Sequence, residues 1–132
     1  VEAVFDLERE LASSKNTIQQ AEDDKPISST GAAAARPMSS HCAINCNAQF
    51  TPHVDSGRGA GQSLSMIVGL GDYVGGALGV EGEGYDIRYH PLEFDGWRLR
   101  HWTKAFEGER YSLVWFTPEF KGDEELPASS DG

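Results

Sequence analysis

The sequence predicts an all-β core of the sandwich or jelly-roll class, preceded by one helix. Three observations carry that expectation. Short apolar or alternating runs recur between residues 41 and 121, separated by turn residues at roughly the 8–12-residue spacing of such folds. Fifteen glycines and six prolines in 132 residues punctuate those runs. The chain is long enough to bury a single core, and its 39% hydrophobic content suits one.

Residues 1–23 predict an amphipathic helix. Val4, Leu7, Leu11, Ile18 and Ala21 follow a/d spacing, Ser14 breaks the seam, and acids dominate the other face. With so few clean heptads, the expectation is a helix packed on its own domain rather than a coiled coil. Residues 24–40 predict a flexible linker, because small, Ser- and Pro-rich sequence buries too little apolar surface to offset its ordering entropy. The core domain is expected over 41–121, with strands at 42–50, 64–70, 77–80, 85–90, 101–106 and 110–117. Pro91 and Asp95-Gly96 mark turns between the later strands. Residues 122–132 predict an acidic, disordered tail. A start at Val1 rather than Met points to a fragment or a processed product.

Charge and cysteine usage bound the partners. Residues 1–40 carry four basic and seven acidic groups, 41–121 seven and ten, and 122–132 none and four, for a net charge of −10. No basic face of the kind that drives sequence-independent DNA affinity is evident, so any nucleic-acid binding should be weak. No apolar run reaches the roughly 18 residues of a membrane span. Cys42 and Cys46, four apart on a predicted strand, would sit roughly 13 Å apart at about 3.3 Å per residue, whereas a disulfide needs Cα atoms within about 7 Å. A zinc site from His41, Cys42 and Cys46 lacks a fourth ligand and the usual spacing. Free, buried thiols in a reducing, intracellular compartment (nuclear or cytoplasmic) are therefore expected. The glycine-rich run from Ser56 to Ser63 lacks the Gly-Lys-Ser/Thr of a phosphate cradle and no helix pattern follows it. It reads as a mobile loop, a candidate lid.

That loop follows the pattern His53-Val54-Asp55. An imidazole and a carboxylate two residues apart share one face of extended chain, because side chains there alternate with period two. His101 supplies a second imidazole after enough chain to cross a small sheet and return. Two histidines and one carboxylate leave three positions of an octahedral ion open, the arrangement of non-haem Fe(II) oxygenases. Beyond His101, the strand pattern Arg110-Tyr111-Ser112-Leu113-Val114-Trp115-Phe116 could aim Arg110 and Ser112 inward together. A guanidinium fork beside an open metal site suits bidentate capture of a dicarboxylate. Glu93 and Glu109 are alternative partners for Arg110. Arg98 and Arg100 could form a salt-bridged rim or touch substrate, and Trp97, Trp102 and Trp115 read as core.

The same residues carry a family resemblance. The run from Phe50 to Pro118 resembles the double-stranded β-helix Fe(II)/2-oxoglutarate dioxygenases, and within them the TET/JBP-like branch with members from unicellular algae. His53 and Asp55 match that family's H-x-D, His101 its distal histidine, and Arg110 with Ser112 its R-x-S. Gly71-Asp72-Tyr73 and Gly75-Gly76-Ala77-Leu78 fall where the family has a glycine-marked hairpin. The resemblance implies a double-stranded β-helix holding Fe(II) on His53, Asp55 and His101, with 2-oxoglutarate on Arg110 and Ser112 and O2 as second co-substrate. It further implies oxidation of a C–H bond, foremost the methyl of a 5-methylpyrimidine in nucleic acid. A prolyl-hydroxylase-like protein hydroxylase is the next reading. A truncated β-roll that binds without catalysis is the reading from another class.

Overall fold

The computed structural model of the chain describes residues 2–20, 26–30, 36–57 and 62–118. The expected tail at 122–132 and part of the glycine-rich loop lie outside them. Helix α1 spans Glu2–Leu11, with Glu2 in its first turn and Arg9 in its last, the charge order that the helix dipole favours. A short 3-10 turn at Ala12–Ser14 ends it. Eleven strands follow among the described residues: β1 (Asn16–Gln20), β2 (Pro26–Thr30), β3 (His41–Cys46), β4 (Ser65–Leu70), β5 (Tyr73–Gly75), β6 (Leu78–Val80), β7 (Glu83–Tyr85), β8 (Leu92–Phe94), β9 (His101–Thr103), β10 (Phe106–Gly108) and β11 (Tyr111–Phe116). The core is therefore β with one N-terminal helix.

The strands form a six-stranded sheet ordered β2-β1-β8-β4-β11-β3, a three-stranded sheet β7-β6-β9 and a two-stranded ribbon β10-β5. All pairs are antiparallel except β1 with β8. Period-two alternation on the large sheet separates two apolar layers. On one face Met66, Val68 and Trp115 pack against Val4, Phe5, Leu7 and Leu11 of α1. On the other, Ile18, Ile67, Leu92 and Phe94 join Leu78 and Val80 of the small sheet, with Ile87 and Leu99. Helix, large sheet and small sheet thus stack as three layers, and the described strands do not close into a barrel.

Several sequence expectations need correction. The helix expected over 1–23 stops at Leu11, and Ile18 is buried in β1 instead. Its a/d spacing with Leu11 reflects two separate elements. Pairing with β8, remote in sequence, decides the local conformation. The linker expected over 24–40 contains β2, and the side chains of Arg36 and Ser39 are buried in a polar network beneath α1. Residues 24–25 and 31–35 of that stretch lie outside the described set. The strand expected at 85–90 ends at Tyr85. Asp86 Oδ1 accepts the Arg88 amide at 3.0 Å and Tyr89 takes φ 63°, so the chain turns. The run at 101–106 splits because the Lys104 amide bonds to Ala77 O, after which β10 pairs with β5. Both cysteines are free, but Cys46 is exposed and Cys42 only half-buried. Trp115 is core as expected, whereas Trp97 and Trp102 are partly exposed and line a cavity. Among the described residues, no helix is long and apolar enough to cross a membrane.

Candidate metal centre

His53 lies outside any named strand but forms an antiparallel bridge with His101 at the start of β9. The two exchange both backbone hydrogen bonds, His53 N to His101 O at 3.1 Å and His101 N to His53 O at 2.9 Å. Directly opposed residues of a ladder project to the same face, and the imidazole centroids lie 4.3 Å apart. Asp55, two residues on, returns to that face. Its amide bonds to Gly96 O at 2.9 Å, and its carboxylate rests where a Cβ on residue 96 would lie 2.5 Å from Oδ2. Glycine at 96 is thus a steric requirement for the carboxylate position.

The three ligand atoms lie within 4.8 Å of one another, as the H-x-D…H order predicts. Asp55 Oδ1 is 3.5 Å from His53 Nε2 and 3.4 Å from His101 Nε2. Each Nδ1 sits on a backbone carbonyl, His53 on Thr51 O at 2.7 Å and His101 on Leu99 O at 2.9 Å. A carbonyl can only accept, so Nδ1 carries the proton and the Nε2 lone pair faces the centre. That arrangement orients metal-binding histidines. Two imidazole nitrogens and one carboxylate oxygen at these separations could hold a metal ion. His101 is 7% exposed and packs edge-on against Phe94 at 4.9 Å, whereas His53 and Asp55 open toward solvent. Burial alone would lower the His101 pKa. The hydrogen bond to Asp55, the Leu99 carbonyl and the Asp55 charge outweigh it, so the value is raised.

The centre opens onto a cavity of about 650 Å³. Arg110 and Ser112, in one phase of the β11 alternation, line the same cavity, as do Asn45, Phe94, Trp97 and Trp102. Arg110 is 2% exposed. Its Nε donates to Gly76 O at 3.1 Å, its guanidinium carbon lies 5.7 Å from the ring centres of both Tyr73 and Phe106, and its Nη2 has no hydrogen-bond partner. Neither alternative carboxylate takes it. Glu93 pairs instead with Arg36 and Lys15 on the far side of the large sheet. Burial lowers the Arg110 pKa while neighbouring Tyr73 opposes the shift. Ser112 Oγ accepts from Asn45 Nδ2 at 3.3 Å. Arg98 pairs with Asp95 at 3.4 Å and stacks on Trp97 at 4.4 Å, the rim role, and the Arg100 amide bonds to Glu81.

Sequence reasoning missed the supports: Asn45, Tyr73, Gly76, Phe94 and the space at Gly96. Of these, Asp95-Gly96 read as a turn, and Tyr73 and Gly76 carried a signal only as parts of the glycine-marked hairpin of the resemblance. Compared with protein-family models, with curated proteins and with solved structures, the chain gives no match.

Proposed function

We propose that this chain is an Fe(II)- and 2-oxoglutarate-dependent dioxygenase of double-stranded β-helix type. Its substrate on this reading is the methyl group of a 5-methylpyrimidine in nucleic acid. The observation that carries the reading is a juxtaposition. The His53–Asp55–His101 group and a buried guanidinium with an unsatisfied Nη2 share one cavity. The path of the chain supports the fold. Taking the His53 bridge as a fourth member of the small sheet, β3, His53, β4, β6, β7, β8, β9 and β11 run large, small, large, small, small, large, small, large. With the β10-β5 ribbon set aside, that alternation favours an eight-stranded roll. The substrate assignment rests on the resemblance of the run 50–118, and the aromatic side chains of Phe94, Trp97 and Trp102 offer a wall for a planar base.

The donor set fits a ferrous ion, with nitrogen and oxygen ligands on one side and the cavity on the other. When bound there, iron supplies the oxygen activation and redox capacity that no side chain has. The chain supplies position and surroundings. His53 and His101 present Nε2 because Thr51 O and Leu99 O hold their Nδ1 protons. Arg110 offers Nη2 to a carboxylate from a site its burial keeps dry, which strengthens a charge-assisted pair. Ser112, held by Asn45, offers its hydroxyl beside it. Phe94 excludes water from the His101 side.

The test incubates the protein aerobically with ferrous iron and 2-oxoglutarate and measures succinate. Iron-dependent succinate is expected, abolished in His101→Ala. Protein that binds both ligands yet forms no succinate would overturn the reading.

A further inference from the structure

Strand β3 is an outer edge of the large sheet, with β11 on one side and no described strand on the other. The phase of its hydrogen bonds is fixed by the Asn47 amide, which bonds to Arg110 O at 2.7 Å. In the β3–β11 register, residues 41, 43, 45 and 47 therefore exchange bonds with β11. The backbone N–H and C=O of Cys42, Ile44 and Cys46 point to the open side. Ile44 is 67% exposed there, and Cys46 is exposed beside it. An exposed, unblunted edge is a template for another strand.

The sequence of this edge indicates which strand it takes. His41-Cys42-Ala43-Ile44-Asn45-Cys46 carries no Asp, Glu, Lys or Arg, in a chain of net charge −10. A second copy can meet it here without the like-charge repulsion that opposes contact elsewhere. The cysteines lie symmetrically about Ile44. An antiparallel pair centred on Ile44 sets each Cys42 opposite the other copy's Cys46, both in hydrogen-bonded positions with Cα atoms about 5.5 Å apart. That distance falls within the roughly 4.4–6.8 Å Cα range of disulfides, which the two cysteines of one strand cannot reach, and closing the bond draws the Cβ atoms together by about 1 Å.

We propose that β3 pairs antiparallel with β3 of a second copy about Ile44, forming a two-fold dimer that Cys42–Cys46 disulfides between copies can lock. The lock requires a disulfide oxidant such as oxidised glutathione. Each new S–S bond takes two electrons and two protons from the thiols, and one oxidised glutathione is reduced to two glutathione thiols. The dimer itself needs no oxidant.

The test measures the mass of the full chain in solution against concentration under reducing conditions. It then maps cross-linked peptides after exposure to oxidised glutathione. A concentration-dependent dimer is expected, with Cys42–Cys46 linkages between copies and no covalent dimer from Cys46→Ser. Ile44→Lys places two ammonium groups face to face and should raise the dimer dissociation constant about tenfold or more. Because Ile44 bonds to no strand of its own chain, this variant should keep its circular dichroism. Ile44→Pro, which removes an outward N–H and no bond to β11, should likewise weaken the dimer. A monomer at every concentration would overturn the proposal, as would linkage of Cys46 to Cys46 or a dimer indifferent to Ile44→Lys.

Discussion

At Arg110, burial and an incomplete set of hydrogen bonds act on one guanidinium. The group is almost fully enclosed, stacked beside Tyr73 and Phe106, and its Nη2 bonds to nothing. A buried cation in that state is costly unless a ligand completes it. Arg110→Ala is expected to weaken 2-oxoglutarate binding by about 1.5–3 kcal/mol, the range for a hydrogen bond to a charged group, and to leave iron binding nearly intact. Separate titrations of the two ligands would show it, and equal loss of both would point to misfolding instead. His101 gives a prediction of opposite pH sign for metal-free and metal-bound protein. Its raised pKa means that the folded, metal-free chain holds the proton more tightly than the unfolded chain does. The resulting stabilisation is complete below the unfolded value of about 6.5 and is lost as pH rises through the folded value. In chelator-treated protein, the stability advantage of wild type over His101→Gln should therefore shrink from pH 6 toward pH 8. Iron affinity should move the other way, falling as acid returns the proton to His101, because metal and proton compete for Nε2. Melting curves and iron titrations at several pH values would check both.

Among the elements, α1 is tied to the large sheet by charge as well as by its apolar stripe. Arg36 Nε reaches Glu8 Oε2 at 2.7 Å and its Nη1 reaches Glu93 Oε2 at 2.8 Å, while Lys15 Nζ lies 3.5 Å from Glu93 Oε1. Thr17, Ser39, Leu64 O and Trp115 O complete the bonds. Two carboxylates balance two cations in a site their side chains leave almost entirely buried. Removing the fork would leave buried Glu8 without a cation and Glu93 with Lys15 alone, so Arg36→Met is expected to cost about 3–5 kcal/mol. Denaturant unfolding would measure it, and a loss below 1 kcal/mol would show that the network is dispensable. Glu8 looked like an ordinary acid on a solvated helix face, and Arg36 stood in a stretch whose composition argued for disorder. Both readings failed because the partners are remote in sequence, Arg36 and Ser39 for Glu8, and Glu8 and Glu93 for Arg36, and local pattern carries no information about them. The parallel pairing of β1 with β8 was hidden for the same reason. Strands β5, β8 and β10 have three residues each, too short to show a period. The centre was legible because its signals are short-range: His53 and Asp55 two apart, Arg110 and Ser112 two apart. Each pair shares a face by alternation alone. The convergence of His101 on the first pair was expected from the H-x-D…H order, but the His53–His101 bridge that produces it is a long-range pairing with no local pattern.

At the scale of the whole molecule, net charge and cavity shape together limit which form of nucleic acid the proposed enzyme could oxidise. The chain carries 21 acidic against 11 basic groups, and Arg36 and Arg110 are buried away from any phosphate backbone. Arg98 is engaged with Asp95 and Trp97. Few counterions would be released on contact with DNA, so affinity should be weak and should fall only gently with salt, since the slope tracks the number of phosphates neutralised. The His53–Asp55–His101 group lies beside a cavity rather than on a flat surface, so a methyl group inside a stacked duplex could not reach it without extrusion of the base. Extrusion costs a few kcal/mol, least where pairing is already lost. An acidic binder with few phosphate contacts has little binding energy to set against that cost. Turnover on 5-methylpyrimidine in single-stranded or distorted DNA is therefore expected to exceed turnover on intact duplex by tenfold or more, because about 1.4 kcal/mol of unrecovered cost is a factor of ten. Iron-loaded protein and 2-oxoglutarate would be incubated with methylated single strands, matched duplexes and proline-containing peptides, and the oxidised product identified by mass. Equal rates on duplex and single strand would remove the extrusion argument. Oxidised peptide beside untouched nucleic acid would leave the iron chemistry standing and move the substrate to protein.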